Sequence, residues 1–224
     1  MYLLQQEDVL RKEKNIILFG EHPHVSVSYN NLDSAELKSN LIPIGSVEFV
    51  TKYCSLHNIA LPKNKSYPIE LVSFLKRKIR QGTFGSTLET EFVKPIKTKL
   101  FTGAIKKEIT ESVENDEPVW ISDVVQFIAE FRCYVIDGQL VGYSRYDDSE
   151  EVINFDDSVV NSMIEKYTSQ PIGYSIDIGI VKDETVLVEV NDGWSLGYYP
   201  WGTMTSQKYV ELITKRWNQI LENE

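Results

Sequence analysis

The sequence predicts an α+β fold built on antiparallel sheets. Three stretches lead to that reading. FRCYVIDGQLVGYSR (131–145) is two alternating runs joined by Asp137-Gly138, a strong hairpin signal. GYSIDIGIVKDETVLVEVN (173–191) reads as a second hairpin. From about Thr205 to Leu221, Tyr209, Leu212, Ile213, Trp217 and Ile220 recur on one helical face. Hairpins together with amphipathic helices define this class. With 224 residues, 42% of them hydrophobic, the chain can bury one full domain or two small lobes sharing an interface.

Taken in order, NIILF (15–19) reads as a short buried strand closed by Gly20, and LIPIGSVEFV (41–50) as a turn leading into a strand or helix. SYPIELVSFLKRKIRQG (66–82) reads as a helix: Pro68 suits the first turn, Glu70 complements the dipole, and Leu71, Leu75 and Ile79 recur every fourth residue up to Gly82. Its basic run, Lys76-Arg77-Lys78-Ile79-Arg80, reads as a solvated helix face, with an anion contact as the alternative. Residues 1–85 are expected to form a small N-terminal α/β lobe and 86–224 the main domain. FVKPI (92–96) is a strand carrying Lys94 and ending at Pro95; KTKLFTG (97–103) is a loop freed by Gly103. PVWIS (118–122) is a buried strand, and SVVNSMIEKYTS (158–169) a helix with Val160, Met163 and Ile164 inward.

The net charge of −10 argues against non-specific binding to nucleic acid or to an anionic membrane. Cys54 and Cys133 form no CxxC, which fits a reduced, cytoplasmic compartment. MYLLQQEDVLRK is charged too early for a signal peptide, and no apolar run approaches membrane-spanning length. His22 and His24 could form a metal pair, but a loop or strand-end role accounts for them equally.

Side chains alternate along strands, so parity sorts each hairpin into faces. In the second hairpin Ile176, Ile178, Ile180, Val186, Val188 and Val190 are even, while Asp177, Glu189 and Asn191 are odd. Pairing even with even requires an odd-numbered loop, most simply three residues around Asp183 and Glu184. Asp177 then lies opposite Asn191 with Glu189 on the diagonal, and the three converge on one face. Oxygen donors of this kind suit Mg²⁺ or Mn²⁺; a solvated outer face is the alternative. In the first hairpin a two-residue turn pairs even with odd. It predicts Glu130, Arg132 and Arg145 on one face, where Arg suits phosphate or carboxylate; a surface ion-pair cluster is the alternative.

The chain has no GxxxxGK[ST], no HRD or DFG, no GxGxxG after a strand and no GxSxG, which argues against the chemistries those motifs serve. What it does contain, in order, is FVKP, KLFTG, VWISDVV, EFR, Asp177 and EVN. Over about residues 40–200 this series resembles the ATP-grasp superfamily. It is most similar to a small, uncharacterised ATP-grasp domain clade that is carboxylate–amine ligase-like.

The resemblance implies two α/β lobes with antiparallel sheets clasping ATP, preceded by a pre-ATP-grasp-like lobe. Adenine would lie against a hinge near 122–126, with Ser122, Asp123, Val124 and Val125. Lys94 would contact the phosphates and the 97–103 loop, with Lys99, would cover them. Glu130 matches an acidic position near the nucleotide. Asp177, Glu189 and Asn191 would hold Mg²⁺ or Mn²⁺, and Arg132 and Arg145 would act catalytically on the transferring phosphoryl group. NDGWSLGYYPW (191–201), with Asp192, Trp194 and Ser195, is the expected acceptor wall, or else a core-packing aromatic loop. The implied reaction activates a carboxylate as an acyl phosphate for attack by an amine, on a small molecule, peptide or protein. A nucleotide-binding regulatory module without turnover and a phosphotransferase remain alternatives. The phosphate loop is less glycine-rich than in many superfamily members.

Overall fold

The computed structural model describes residues 1–7, 11–63, 65–96, 100–147 and 152–222. The first sheet is parallel, in the order β2 (His24–Val27), β1 (Tyr2–Gln5), β3 (Ile42–Ile44). Helix α1 (Lys12–Phe19) follows β1, and α2 (Val47–Leu56) follows β3, capped by the Ser46 hydroxyl accepting from the Phe49 N–H. NIILF is therefore the end of a helix and not a strand: Ile16 and Ile17 are buried while Leu18 and Phe19 face out, a half-wet pattern suited to α1. This small lobe shares its core with the last helix, α4 (Ser206–Glu222), through Phe49, Tyr53, Leu212 and Trp217.

The second sheet is antiparallel, in the order β4 (Ile79–Thr83), β7 (Pro118–Ser122), β5 (Phe92–Pro95), β6 (Ala104–Ile105). The helix expected over 66–82 is absent. Its start is a 3₁₀ turn at Ile69–Phe74, Lys76 takes a positive φ of 52°, and the chain re-emerges as β4. Leu71 and Leu75 do point inward, but Ile79 belongs to the strand. An edge position beside β7 outweighs the local periodicity. β4 thus joins the second sheet although it precedes residue 85.

The third sheet is antiparallel, in the order β11 (Glu184–Asp192), β10 (Gly173–Val181), β8 (Ala129–Ile136), β9 (Gln139–Arg145). One face packs Phe131, Cys133, Ile176, Ile178, Leu187 and Val190 against α3 (Asp157–Lys166) and the 69–74 turn. Both hairpins turn through two residues with positive φ, Asp137-Gly138 and Lys182-Asp183. Each also carries a bulge that parity could not foresee. Val188 is the extra residue between the pairs Ile178↔Leu187 and Asp177↔Glu189, and Val141 is extra between Val135↔Leu140 and Tyr134↔Gly142.

These bulges correct two expectations. Asp177 lies opposite Glu189 and not Asn191, which faces Ser175, and the loop has two residues rather than three. Val186, ahead of the bulge, pairs with Gly179 rather than following Val190 onto the helix-covered face. In the first hairpin Arg145 pairs with Phe131, one residue from Arg132, so the two arginines lie on opposite faces of the sheet.

Candidate functional site

The uncovered face of the third sheet carries a charged cluster. Asp177, 2% exposed at the centre of β10, accepts from Arg132 on the neighbouring strand through Nε at 2.9 Å and Nη2 at 2.7 Å. The Ser175 hydroxyl donates to the same carboxylate at 3.1 Å. Asn191 Nδ2 donates to Asp177 at 3.0 Å and to Glu189 at 3.3 Å, tying β11 to β10. Glu189 also pairs with Lys94, which reaches across from β5 of the second sheet. One lysine of one sheet thus meets two carboxylates, a carboxamide and an arginine of the other.

Arg132 is held on several sides. Burial works against its charge, but the facing Asp177 carboxylate prevails and raises its pKa. Its Nη1 donates to the Gly197 carbonyl, and the rings of Tyr199 and Tyr146 lie 5.1 and 5.9 Å from its guanidinium carbon. Those two rings stack on one another at 5.3 Å. The 193–201 segment that supplies Tyr199 is fixed by Tyr134, whose hydroxyl donates to the Gly197 carbonyl and accepts from the Tyr199 N–H, and by Glu13 of α1, which accepts from the Tyr198 N–H.

Glu130 sits on the same face as Arg132, opposite Gly179. Burial, reinforced by Asp177 and Asp147, pushes its carboxyl up to about 7, against the opposing pull of Arg77. At the end of β7, the Ser122 hydroxyl donates to the Asp123 carbonyl, and Asp123 exchanges bonds with the backbone of Lys78. Val124 is exposed and Val125 half-buried in the connection to β8, the one covalent strap between the two antiparallel sheets among the described residues.

Other expected residues lie elsewhere. Arg145 pairs with Asp147 at 2.8 Å and stands over the Phe131 ring, on the far face. Asp192 is taken by Arg216 of α4 through two 2.7 Å bonds. Trp194 packs on the small lobe's core, and with Ser195 borders a pocket shared with Arg11 and Glu13. Lys99 lies outside the described residues. His24 bonds the His22 carbonyl, and among the described residues no group of three or more His, Cys, Asp or Glu gathers to hold a metal.

The donor set at the cluster is nonetheless hard oxygen: two facing carboxylates and a carboxamide. It fits Mg²⁺ or Mn²⁺, which bind one or two carboxylates and leave other positions to phosphate and water. Asn191 now turns its NH₂ toward both carboxylates; a half-turn of the amide would present its oxygen instead. The sequence pointed to Asp177, Glu189, Asn191, Lys94 and Arg132. It gave no signal for Tyr146, and Tyr199 was visible only as part of an aromatic segment.

Two antiparallel sheets joined by a hinge, with a lysine of one facing the acid pair of the other, define an ATP-grasp fold. A family description, an ATP-grasp domain that is family 2 of its clade, matches residues 74–211, and the chain belongs to that family. Among solved structures it is similar to the D-alanine–D-alanine ligase of Bacillus anthracis, with a TM-score of 0.57, 12% identity, and coverage of 99% of this chain and 98% of that one. It is similar to a RimK-domain ATP-grasp protein of Sphaerobacter thermophilus (TM-score 0.51, 12% identity, 99% and 100% covered). A third is the ATP-grasp ligase PsnB complexed with a minimal precursor (TM-score 0.50, 12% identity, 99% and 97% covered). At such identities the likeness speaks for the fold. No curated protein matches the chain. Among the described residues no helix is long and apolar enough to cross a membrane.

Proposed function

We propose that the chain is an ATP- and Mg²⁺-dependent, ADP-forming ligase that joins a carboxylate to an amine through an acyl phosphate. The observation that carries the proposal is the meeting of Lys94 with the Asp177–Glu189–Asn191 cluster across two hinged sheets, with Arg132 locked beside it.

In this reading Lys94 exchanges its carboxylate partner for nucleotide phosphates, and the 122–126 strap borders the adenine. Asp177, Glu189 and Asn191 hold Mg²⁺, which when bound neutralises phosphate charge and orients the oxygens for in-line transfer. Arg132, pre-oriented by Asp177 and the two tyrosines, stabilises charge on the transferring phosphoryl group without reorganising. The acceptor carboxylate attacks the γ-phosphorus and ADP leaves. The amine then attacks the acyl carbon, loses a proton, and releases phosphate. The 193–201 segment walls the acceptor side and limits water that would hydrolyse the acyl phosphate. Arg145, on the far face and paired with Asp147, has only a supporting part, through the strand it shares with Arg132's neighbours. The acceptor is a peptide or protein carboxylate, a class consistent with the precursor held by PsnB.

The test is ADP release from ATP with Mg²⁺ and a panel of peptide carboxylates and amines. Release that needs both a carboxylate and an amine, with an amide in the product, supports the ligase. A stable phosphorylated product without amine assigns a phosphotransferase, and tight ATP binding without turnover across the panel assigns a binding module; either overturns the proposal.

A further inference from the structure

Outside the cluster, the most unusual use of a charged side chain is that of Arg77. It precedes β4, is half-buried, and donates Nη1 to the Leu187 carbonyl and Nη2 to the Val188 carbonyl, both at 2.8 Å. β11 is an edge strand of its sheet. In a regular edge strand, successive carbonyls point alternately into the sheet and away from it. One donor outside the edge can bind two successive carbonyls only where the alternation breaks, which is at the Val188 bulge. The fork geometry of Arg suits that pair of acceptors, and its charge strengthens both bonds.

The bulge has a consequence for the acid pair. Leu187, opposite Ile178, lies on the helix-covered face, and so does Val190, opposite Ile176. The inward parity therefore switches from odd to even at Val188. Without the switch, Glu189 would share the face of Leu187 and lie two residues from it in the apolar core. With it, Glu189 stands opposite Asp177 and Asn191 opposite Ser175. Arg77 is also fixed at the hinge: the Lys78 N–H donates to Asp123 Oδ2 at 3.1 Å and the Asp123 N–H returns to the Lys78 carbonyl at 3.3 Å. One residue thus connects the strap between the sheets to the point on β11 that aims Glu189.

We propose that Arg77 is a positioning residue, which clamps the β11 bulge and so holds Glu189 and Asn191 in the orientation that binds the divalent cation. The assignment rests on the reading that those two residues and Asp177 hold the metal. It places in the site's support a residue that the sequence alone presents as part of a solvated basic run. Arg77 need not touch nucleotide or metal; it acts through the backbone carbonyls of Leu187 and Val188.

The test measures ATP affinity by calorimetry with and without Mg²⁺ for the full chain, Arg77→Met and Arg77→Lys, with circular dichroism as the check on folding. Wild type is expected to gain affinity on adding Mg²⁺. Arg77→Met is expected to keep its affinity without metal and to lose at least about tenfold of the Mg²⁺-dependent gain, the scale on which outer residues affect metal affinity. Arg77→Lys, which can bond one carbonyl but not both, is expected to fall between the two. A merely structural residue would lower melting temperature and leave the Mg²⁺-dependent gain intact, and that result in folded Arg77→Met overturns the proposal. Should Arg77→Met fail to fold, Arg77→Lys decides: an undiminished gain overturns the proposal and a diminished one supports it. A wild type that binds ATP equally with and without Mg²⁺ overturns the metal reading itself, and Arg77's role with it.

Discussion

Lys94 of β5 and Glu189 of β11 form an ion pair that crosses between two sheets, 95 positions apart in the chain. Each side chain is about one-fifth exposed, so the contact stabilises the unligated protein only modestly, by about 0–1 kcal/mol as for accessible pairs. A pair of this strength can yield to a better partner. Lys94→Met should therefore leave the fold and the unligated melting temperature nearly unchanged. It should weaken ATP binding at least about tenfold, the equivalent of one charge-assisted hydrogen bond. Calorimetry showing wild-type ATP affinity in folded Lys94→Met would remove Lys94 from the phosphate site.

Part of this arrangement was legible in the sequence and part was not, for a definite reason. Asp177, Glu189 and Asn191 share parity in a hairpin whose apolar residues have the other parity, and period-two alternation suffices to collect them. The register within the cluster depended on Val188, and nothing about a valine in VLVEV marks it as an extra residue. Val141 is equally silent, and it carried Arg145 to the wrong face. The turn Asp137-Gly138 was recognised correctly; the error arose beyond it, at Val141. The helix expected over 66–82 failed because β4 completes a sheet whose neighbouring strand, β7, lies some forty residues downstream, a pairing that local periodicity does not contain. Arg77 was hidden for the same reason, since its partners are carbonyls 110 and 111 positions away.

The two arginines offer a direct contrast. Arg132 binds a carboxylate that is 2% exposed, whereas Arg145 binds Asp147 at a site where both side chains are nearly one-fifth exposed. Arg132→Ala should leave Asp177 buried without its cation and destabilise the protein by about 3–5 kcal/mol, while Arg145→Ala costs about 1 kcal/mol or less. ATP affinity in Arg145→Ala should stay near wild type. Urea unfolding of the two variants checks the first statement and calorimetry the second; equal losses of stability would show that the difference in burial does not govern these pairs.

Glu130 makes the stability pH-dependent. Its folded carboxyl titrates at about 7 against an ordinary 4.5, chiefly because burial disfavours the charge. Between those values the folded state holds a proton that the unfolded state has released, so this group's contribution to stability falls as pH rises from about 4.5 to 7 and then levels off. Glu130→Gln cannot titrate and should lose that slope. The check is the difference between wild-type and Glu130→Gln melting temperatures across this range. A difference that is flat with pH would mean that Glu130 is not held protonated by the fold.

Asp177 and Glu189 face one another, yet their surroundings separate their roles. Asp177 is enclosed by Arg132, Ser175 and Asn191, while Glu189 meets Lys94 at the mouth between the sheets with 18% of its side chain exposed. Removing the charge from Asp177 leaves the arginine buried without a counter-ion. Asp177→Asn should therefore cost about 3–5 kcal/mol before any ligand is added. Removing the charge from Glu189 leaves a lysine that can turn toward water, so Glu189→Gln should cost about 1 kcal/mol or less. Both variants lose a carboxylate from the proposed cation site, so both should lose the Mg²⁺-dependent gain in ATP affinity. Glu189→Gln is the cleaner probe because its fold is expected to be intact. Melting curves without ligand and calorimetry with and without Mg²⁺ give the two readings separately. A stable Glu189→Gln that still binds ATP more tightly with Mg²⁺ to the wild-type extent would show that the cation lies elsewhere.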